Sequence, residues 1–325
     1  MRSEISGSMK ENSVKKKKII IIVGPTAVGK TSLSLSLAKA VNGEIISGDS
    51  MQIYRNLTIG TAKVSKEEQQ EIPHYLIDEV DVETSYAVSD FQKRARFLIE
   101  EISARGKVPI IVGGTGLYIE SLLYDVTFGG SGENDPAFRE AQEAIAIEKG
   151  NHYLWEQLIK VDASAAENIH FNNRRRVIRA LEVYHVTGQP FSSYQSERKE
   201  KELLYDAKII GLTTDREELY QRINLRVDQM FEKGLIQEAD WLYQRQLPDA
   251  QASRGIGYKE LVPYFEKKAT LQEAKEAIQQ NSRRYAKRQL TWFKNRLENV
   301  VWFDLLASPE EEEKIKNEVK SFLKE

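Results

Sequence analysis

Apolar residues in this chain come as short unbroken runs separated by longer amphipathic stretches. Ile19 to Val23 is such a run, followed by Glu44-Ile45-Ile46-Ser47, Val108 to Val112 and Lys208 to Leu212. Short apolar runs bounded by turn residues predict strands covered on both faces. A less regular apolar piece runs from His74 to Val80. Between these runs lie helix patterns. Ser32 to Val41 reads as one, closed by Gly43. Phe91, Ala95, Leu98 and Ile102 form a stripe, with Ser89 and Gln92 as a capping box and Gly106 at the end. Another helix starts at Thr214, with Glu217 three residues on, and is interrupted at Gly234. The last, about Ala274 to Leu297, carries Ala286, Leu290, Phe293 and Leu297 at helical spacing. This alternation predicts an α/β fold, a parallel sheet with helices on both faces.

The texture changes at Asp125. Phe128-Gly129-Gly130-Ser131-Gly132 reads as a flexible joint, and a mostly helical stretch follows as far as the polar residues Ser192 to Glu202. The predicted organisation is a disordered basic lead-in over 1–18, a sheet domain over 19–124 and 203–325 with C-terminal helices, and a helical insertion over 125–202. Composition narrows the chemistry. There are no cysteines, which excludes disulfides and thiolate chemistry, and the four histidines lack metal-ligand spacing. No apolar run approaches the ~20 residues that span a bilayer, so no membrane association is expected. Net charge is −2, so a basic surface must come from local arrangement.

The first strand leads into Gly24-Pro25-Thr26-Ala27-Val28-Gly29-Lys30-Thr31 and then a helix. Strand, Gly-x-x-x-x-Gly-Lys-Thr and helix make a P-loop, so the sheet is expected to be P-loop NTPase-like. Its amides and helix amino end can cradle phosphate oxygens, Lys30 adds a full charge, and the Thr31 hydroxyl can hold Mg²⁺. This is a diphosphate or triphosphate site, and a nucleotide such as ATP is one candidate for it. A Walker B strand ending in Asp is missing, because residues 108–112 end in Gly113-Gly114; Leu76-Ile77-Asp78 is a weak candidate. Asp49 follows the second strand and so falls in the P-loop crevice. A helix cap, a magnesium partner and a catalytic base are all open readings, and Ser50, Gln52 and Tyr54 beside it suit a base edge. Arg222 and Arg226 lie four apart on one helix face, where one could reach a phosphate or pair with Glu218. Basic residues cluster at Arg174-Arg175-Arg176 with Arg179, at Arg254 with Lys259, and at Arg283-Arg284 with Lys287, Arg288, Lys294 and Arg296. With Tyr258, Tyr285 and Trp292 nearby, these suit a nucleic-acid backbone and a stacked base, or else solvated helix faces.

The P-loop, Ser47-Gly48-Asp49-Ser50-Met51-Gln52-Ile53-Tyr54-Arg55, Ile59-Gly60-Thr61-Ala62-Lys63 and Gly113-Gly114-Thr115-Gly116-Leu117-Tyr118 resemble the tRNA dimethylallyltransferase family. So do Arg179-Ala180-Leu181-Glu182-Val183, Gly255-Ile256-Gly257-Tyr258 and Lys287-Arg288-Gln289-Leu290-Thr291-Trp292, over about residues 18–305. The resemblance implies transfer of a dimethylallyl group from dimethylallyl diphosphate to the exocyclic amine of the adenosine 3′ to the anticodon. It implies Asp49 as general base, the P-loop with Lys30 and Arg226 on the diphosphate, and Thr31 at the Mg²⁺. It implies tRNA contacts at Asp49, Ser50, Met51 and Gln52, at Thr115 and Arg139, at Arg175, Arg176, Val177, Ile178 and Arg179, and at Arg254, Gly255, Ile256, Gly257, Tyr258 and Lys259. The partner would be the tRNA anticodon stem-loop, clamped by the insertion, and the enzyme a cytoplasmic monomer of the short bacterial type.

Three positions depart from the family pattern: Gly48 for alanine or valine, Val64 for proline, and Asn173 for aspartate. Three other readings compete: an adenylate isopentenyltransferase acting on a free nucleotide, a P-loop small-molecule kinase, and a non-catalytic tRNA-binding protein. The insertion and the arginine clusters count against the first, and Asp49 with its neighbours against the second. The third would not need an intact P-loop beside Asp49.

Overall fold

The unbroken apolar runs become the middle of a single sheet. The computed structural model describes residues 16–124, 135–194 and 202–325. In it β1 (Lys18–Val23), β2 (Gly43–Ser47), β3 (His74–Tyr75), β4 (Val108–Gly113), β5 (Asp206–Leu212) and β6 (Val300–Phe303) lie in the order β3-β2-β4-β1-β5-β6. Every pairing is parallel. Ile19 to Val23 are fully buried, and β1 is flanked by β4 on one side and β5 on the other. All carboxyl ends share one edge, so the loops after β1, β2, β4 and β5 emerge together.

The chain divides into two units, Met1–Leu123 with Leu203–Glu325 and Tyr124–Glu202. The joint at 128–132 lies outside the described residues, as do most of 192–202 and the lead-in through residue 15. In the first unit α1 (Lys30–Val41), α2 (Lys66–Glu71), α3 (Val88–Ala104) and α4 (Gly116–Leu123) precede the insertion. The insertion unit holds α5 (Pro136–Lys149), α6 (Asn151–Val161), α7 (Ala163–Asn168) and α8 (Arg174–Thr187) around Leu154, Leu158, Ile169, Val177 and Leu181. The first unit resumes with α9 (Arg216–Glu232), α10 (Leu235–Tyr243), α11 (Val262–Phe265), α12 (Leu271–Arg296) and α13 (Glu311–Lys324).

Helix ends differ from the pattern-based expectation. Asn42, not Gly43, takes the left-handed cap of α1 at φ 53°. Gly43 instead starts β2, where a Cβ would come within 2.6 Å of Ile110 Cδ1. The start of α3 is Ala87, whose amide donates to Asp90 at 2.8 Å, while Ser89 and Gln92 lie inside the helix. For α9 the cap is Asp215, accepting from the Glu217 amide at 2.7 Å, and not Thr214. Gly234, at φ 101°, does separate α9 from α10. The His74 to Val80 piece yields only two strand residues and a bridge from Tyr54 to Val80. β6 and α13 were not anticipated: β6 is a short edge strand, and α13 buries only Ile315 and Val319.

Candidate active site

The P-loop is wound tightly at the end of β1. Gly29 sits at φ 102°, a left-handed conformation that glycine adopts without strain, and Ala27 next to the turn is at φ 66°. α1 has no side-chain cap and no acid in its first turn, so its leading amides face the loop without an internal acceptor side chain. Lys30 Nζ donates to the carbonyls of Gly24 at 3.0 Å and Pro25 at 2.6 Å, inside the loop it belongs to. Arg222 Nε donates to the Ala27 carbonyl at 3.0 Å and fastens the strained residue from α9.

Arg226, one turn further along α9, is half-buried, and no described residue accepts a hydrogen bond from its side chain. Neither it nor Arg222 pairs with Glu218. Burial and the neighbouring Arg226 charge push Lys30 down to about 7, while Asp49 acts in the opposite direction. Burial likewise lowers Arg226, again against Asp49. Two basic side chains thus perturb each other beside one carboxylate, and a multiply charged anion arriving here would favour the charged form of both.

Asp49 stands just past β2. Its Oδ1 accepts from the Met51 amide at 2.8 Å, which turns the chain back and fixes the carboxylate. Ser50 is held from the β4 side, its amide donating to Thr115 Oγ1 at 3.0 Å. Gln52 is committed inside the loop: Oε1 accepts from Ser47 Oγ at 2.9 Å and Nε2 donates to the Thr61 carbonyl at 3.2 Å. Its carboxamide therefore holds the turn at 60–62 in place, and in this arrangement is not presented to a base. The weak Walker B candidate also falls away. Asp78 lies beyond the edge strand β3 and pairs at 2.6 Å with Lys63, whose side chain is 1% exposed. β4, the neighbour of β1, ends in Gly113.

Two residues that periodicity did not single out tie the loops together. Glu238 on α10 accepts from the amides of Thr58, Ile59 and Gly60 at 2.7, 2.8 and 2.9 Å and from the Tyr258 hydroxyl at 2.7 Å. Burial, with Glu238 beside it, raises the Tyr258 hydroxyl far above its ordinary value. Tyr258 is only 3% exposed and packs where a Cβ on Gly60 would lie, so it is a core side chain and not a stacking platform. Gly255 and Gly257 are buried with it, Ile256 is half-buried, and Arg254 and Lys259 are exposed beside them. The second residue is Gln289, 4% exposed on α12. Its Oε1 accepts from the Thr26 amide at 3.0 Å and its Nε2 donates to the Gly114 carbonyl at 2.9 Å. The signal for both was a polar residue within an apolar helix face, Glu238 beside Leu235, Ala239 and Leu242, and Gln289 between Ala286 and Phe293.

In the insertion unit the arginines divide into two kinds. Arg139 Nε and Arg179 each reach the fully buried Glu182 at 2.7 Å, with the Asp135 amide as a third donor at 2.9 Å. Burial works to raise Glu182, and Arg179, Arg139 and that amide together hold it below the ordinary carboxylate value. Val177 and Ile178 are 0% and 3% exposed in the core of this unit, which corrects their assignment to an RNA-facing surface. Arg174 pairs with Glu143 at 2.9 Å. Arg175 and Arg176 are exposed and form no ion pair among the described residues.

The family model described as IPP transferase matches residues 52–296. A tRNA dimethylallyltransferase of Bacillus cereus is 57% identical over 90% of this chain and 91% of its own length. The crystal structure of the full-length tRNA isopentenylpyrophosphate transferase of Bacillus halodurans is 47% identical, with a TM-score of 0.71 over 95% of this chain and 97% of that one. A eukaryotic dimethylallyltransferase captured acting on tRNA is 33% identical, with a TM-score of 0.77 over 90% of this chain and 75% of that one. With a family model spanning most of the chain and relatives this similar along nearly its full length, the chain belongs to the tRNA dimethylallyltransferase family of IPP transferases.

Proposed function

We propose that this enzyme transfers a dimethylallyl group from dimethylallyl diphosphate to the exocyclic amine of the adenosine 3′ to the anticodon of tRNA. The observation that supports the reading is the P-loop with Lys30 seated inside it and Arg226, whose side chain no described residue binds, one turn on from the Arg222 that holds Ala27; the Asp49 charge acts on both Lys30 and Arg226. The P-loop amides, Lys30 and Arg226 neutralise the diphosphate as its bond to the allylic carbon breaks. The adenine amine forms the new C–N bond, and its proton passes to Asp49, a transfer worth ~10²–10⁴ in rate. The base must leave its stack to reach this edge of the sheet.

A Mg²⁺ ion fits the donor chemistry here: Thr31 opens α1 as an exposed hydroxyl without a partner among the described residues, and phosphate oxygens and water supply the rest of an oxygen shell. When bound, the ion would add charge neutralisation at the leaving group.

The anticodon stem-loop is read as the RNA partner. Arg175 and Arg176 begin α8, where the helix dipole disfavours cations and Asn173 supplies no cap bond, so their placement serves something other than helix stability. Arg284, Lys287 and Arg288 form an exposed stripe on α12, and Arg254 and Lys259 lie beside the Asp49 loop, with Met51 against Gly255. No helix of the described residues is long and apolar enough to cross a membrane. The enzyme is read as a monomer acting in the cytoplasm. The test incubates the protein with dimethylallyl diphosphate, Mg²⁺ and either unmodified tRNA or AMP. Mass gain on tRNA is expected; gain on AMP alone would make the enzyme an adenylate isopentenyltransferase, and ATP hydrolysis without either a kinase or ATPase.

A further inference from the structure

Gln289 occupies a place that asks for one acceptor and one donor, which its carboxamide supplies without a change of protonation. On one side it meets a donor, the Thr26 amide of the P-loop, and on the other an acceptor, the Gly114 carbonyl after β4. A carboxylate would set oxygen against oxygen at Gly114, an ammonium would set donor against donor at Thr26, and a hydrocarbon would leave both backbone groups unpaired. Space is equally exact in its demand: a Cβ on Gly114 would come within 2.1 Å of Gln289 Nε2.

From Gly114 the contacts continue toward the acceptor side. The Thr115 amide donates to the Gly48 carbonyl at 3.3 Å, and Thr115 Oγ1 both accepts from the Ser50 amide at 3.0 Å and donates to Ser50 Oγ at 3.3 Å. Gly113 adds no slack, because a Cβ there would lie 2.2 Å from the Gly48 carbonyl oxygen. Tyr285, one turn before Gln289 on α12, has its hydroxyl beside both Thr115 and Gln289. Asp49 lies between Gly48 and Ser50, so the carboxylate whose charge acts on Lys30 is seated on the loop this network holds.

We propose that Gln289 is a positioning residue that couples the two substrate sites, so that an anion seated in the P-loop and RNA seated at the Asp49–Ser50 loop strengthen each other's binding. The inference rests on the reading that these loops serve donor and acceptor. A P-loop that shifts its Thr26 amide on binding an anion moves Gln289, and with it the Gly114–Thr115 segment that seats Ser50. Affinity coupling of this kind is reciprocal.

The experiment uses the full chain, inorganic diphosphate with Mg²⁺, and an unmodified anticodon stem-loop RNA. RNA affinity is measured with and without saturating diphosphate, and diphosphate affinity with and without RNA. The natural enzyme is expected to bind RNA at least about fivefold more tightly with diphosphate present, with the same factor in the reverse direction. Gln289→Leu is expected to reduce that factor below about twofold. A residue that only staples α12 to the sheet would change melting temperature and leave the factor intact. If the leucine variant does not melt cooperatively, Thr115→Val cuts the same route away from α12 and is expected to lose the coupling. A natural enzyme with a factor below twofold or with weaker binding, or a folded variant that keeps the natural factor, overturns the proposal. The coupling is read from binding alone. Failure of the tRNA to accept a dimethylallyl group would instead strike the functional reading.

Discussion

At the residue scale the proposed mechanism turns on Asp49. Its Oδ1 is held by the Met51 amide, and it opposes the shifts that burial imposes on Lys30 and Arg226. Asp49→Asn keeps size and an acceptor oxygen but not the charge that, in the proposed mechanism, stabilises a developing ammonium. Donor and tRNA affinity should change little, while single-turnover transfer should fall by ~10²-fold or more. A magnesium titration of this variant separates the roles, since rescue by excess Mg²⁺ would make Asp49 a metal partner. Lys30 gives a second expectation. Burial holds it at about 7 in the free enzyme, well below the ordinary lysine value that it regains on unfolding. Between those two values the unfolded chain holds a proton on Lys30 that the folded chain has lost, so the contribution of this group to stability rises with pH across that window. A bound diphosphate favours the ammonium, so above pH 7 donor binding should take up a proton, and affinity should weaken as pH rises. Calorimetry in buffers of different ionisation heat measures the uptake, which should fall in Lys30→Met; equal uptake there would assign the proton elsewhere.

At the element scale the two kinds of arginine on α8 should behave differently. Arg175→Ala with Arg176→Ala should leave folding intact and flatten the salt dependence of stem-loop binding, by about 0.7–0.9 in logarithmic slope for each phosphate no longer neutralised. An unchanged slope would return these residues to a solvated helix face. Arg179→Ala should instead destabilise the insertion by about 2–3 kcal/mol, because a fully buried Glu182 is deprived of a charged partner. Thermal melting distinguishes the two. α8 also illustrates how far a pattern reads. Its arginine run and the motif beginning at Arg179 were visible along the chain, yet the division of labour depends on Glu182 and Arg139. Arg139 lies on α5, a separate helix.

At the scale of the whole molecule, the insertion leaves and re-enters the sheet unit at neighbouring points, since the Leu204 amide donates to the Leu123 carbonyl at 2.9 Å. Replacing residues 125–201 with a short Gly/Ser linker should leave the sheet unit folded and able to bind diphosphate, with transfer to tRNA abolished. Cooperative melting and diphosphate titration test this. A shortened chain that does not fold would show that the sheet unit depends on the insertion for its stability.

The sequence alone was enough to determine the strand-forming runs of β1, β2, β4 and β5, the P-loop, the position of Asp49 beyond a strand, and the change of texture after Asp125. Each is local: an unbroken apolar run, a glycine at a turn and a helical stripe are set by neighbours a few residues away. Only the tertiary structure decided the rest. Gln289 meets Thr26 across 263 positions, and Glu238 meets Thr58 across 180. Tyr258 is buried because Gly60 leaves room for it, and Asp78 is claimed by Lys63. Helix caps moved by a residue or two because several nearby groups could serve, and packing chose among them. The reason is the same in each case. Periodicity reports which face of an element is buried, whereas a hydrogen bond between distant residues exists only once the chain has brought both into the same place.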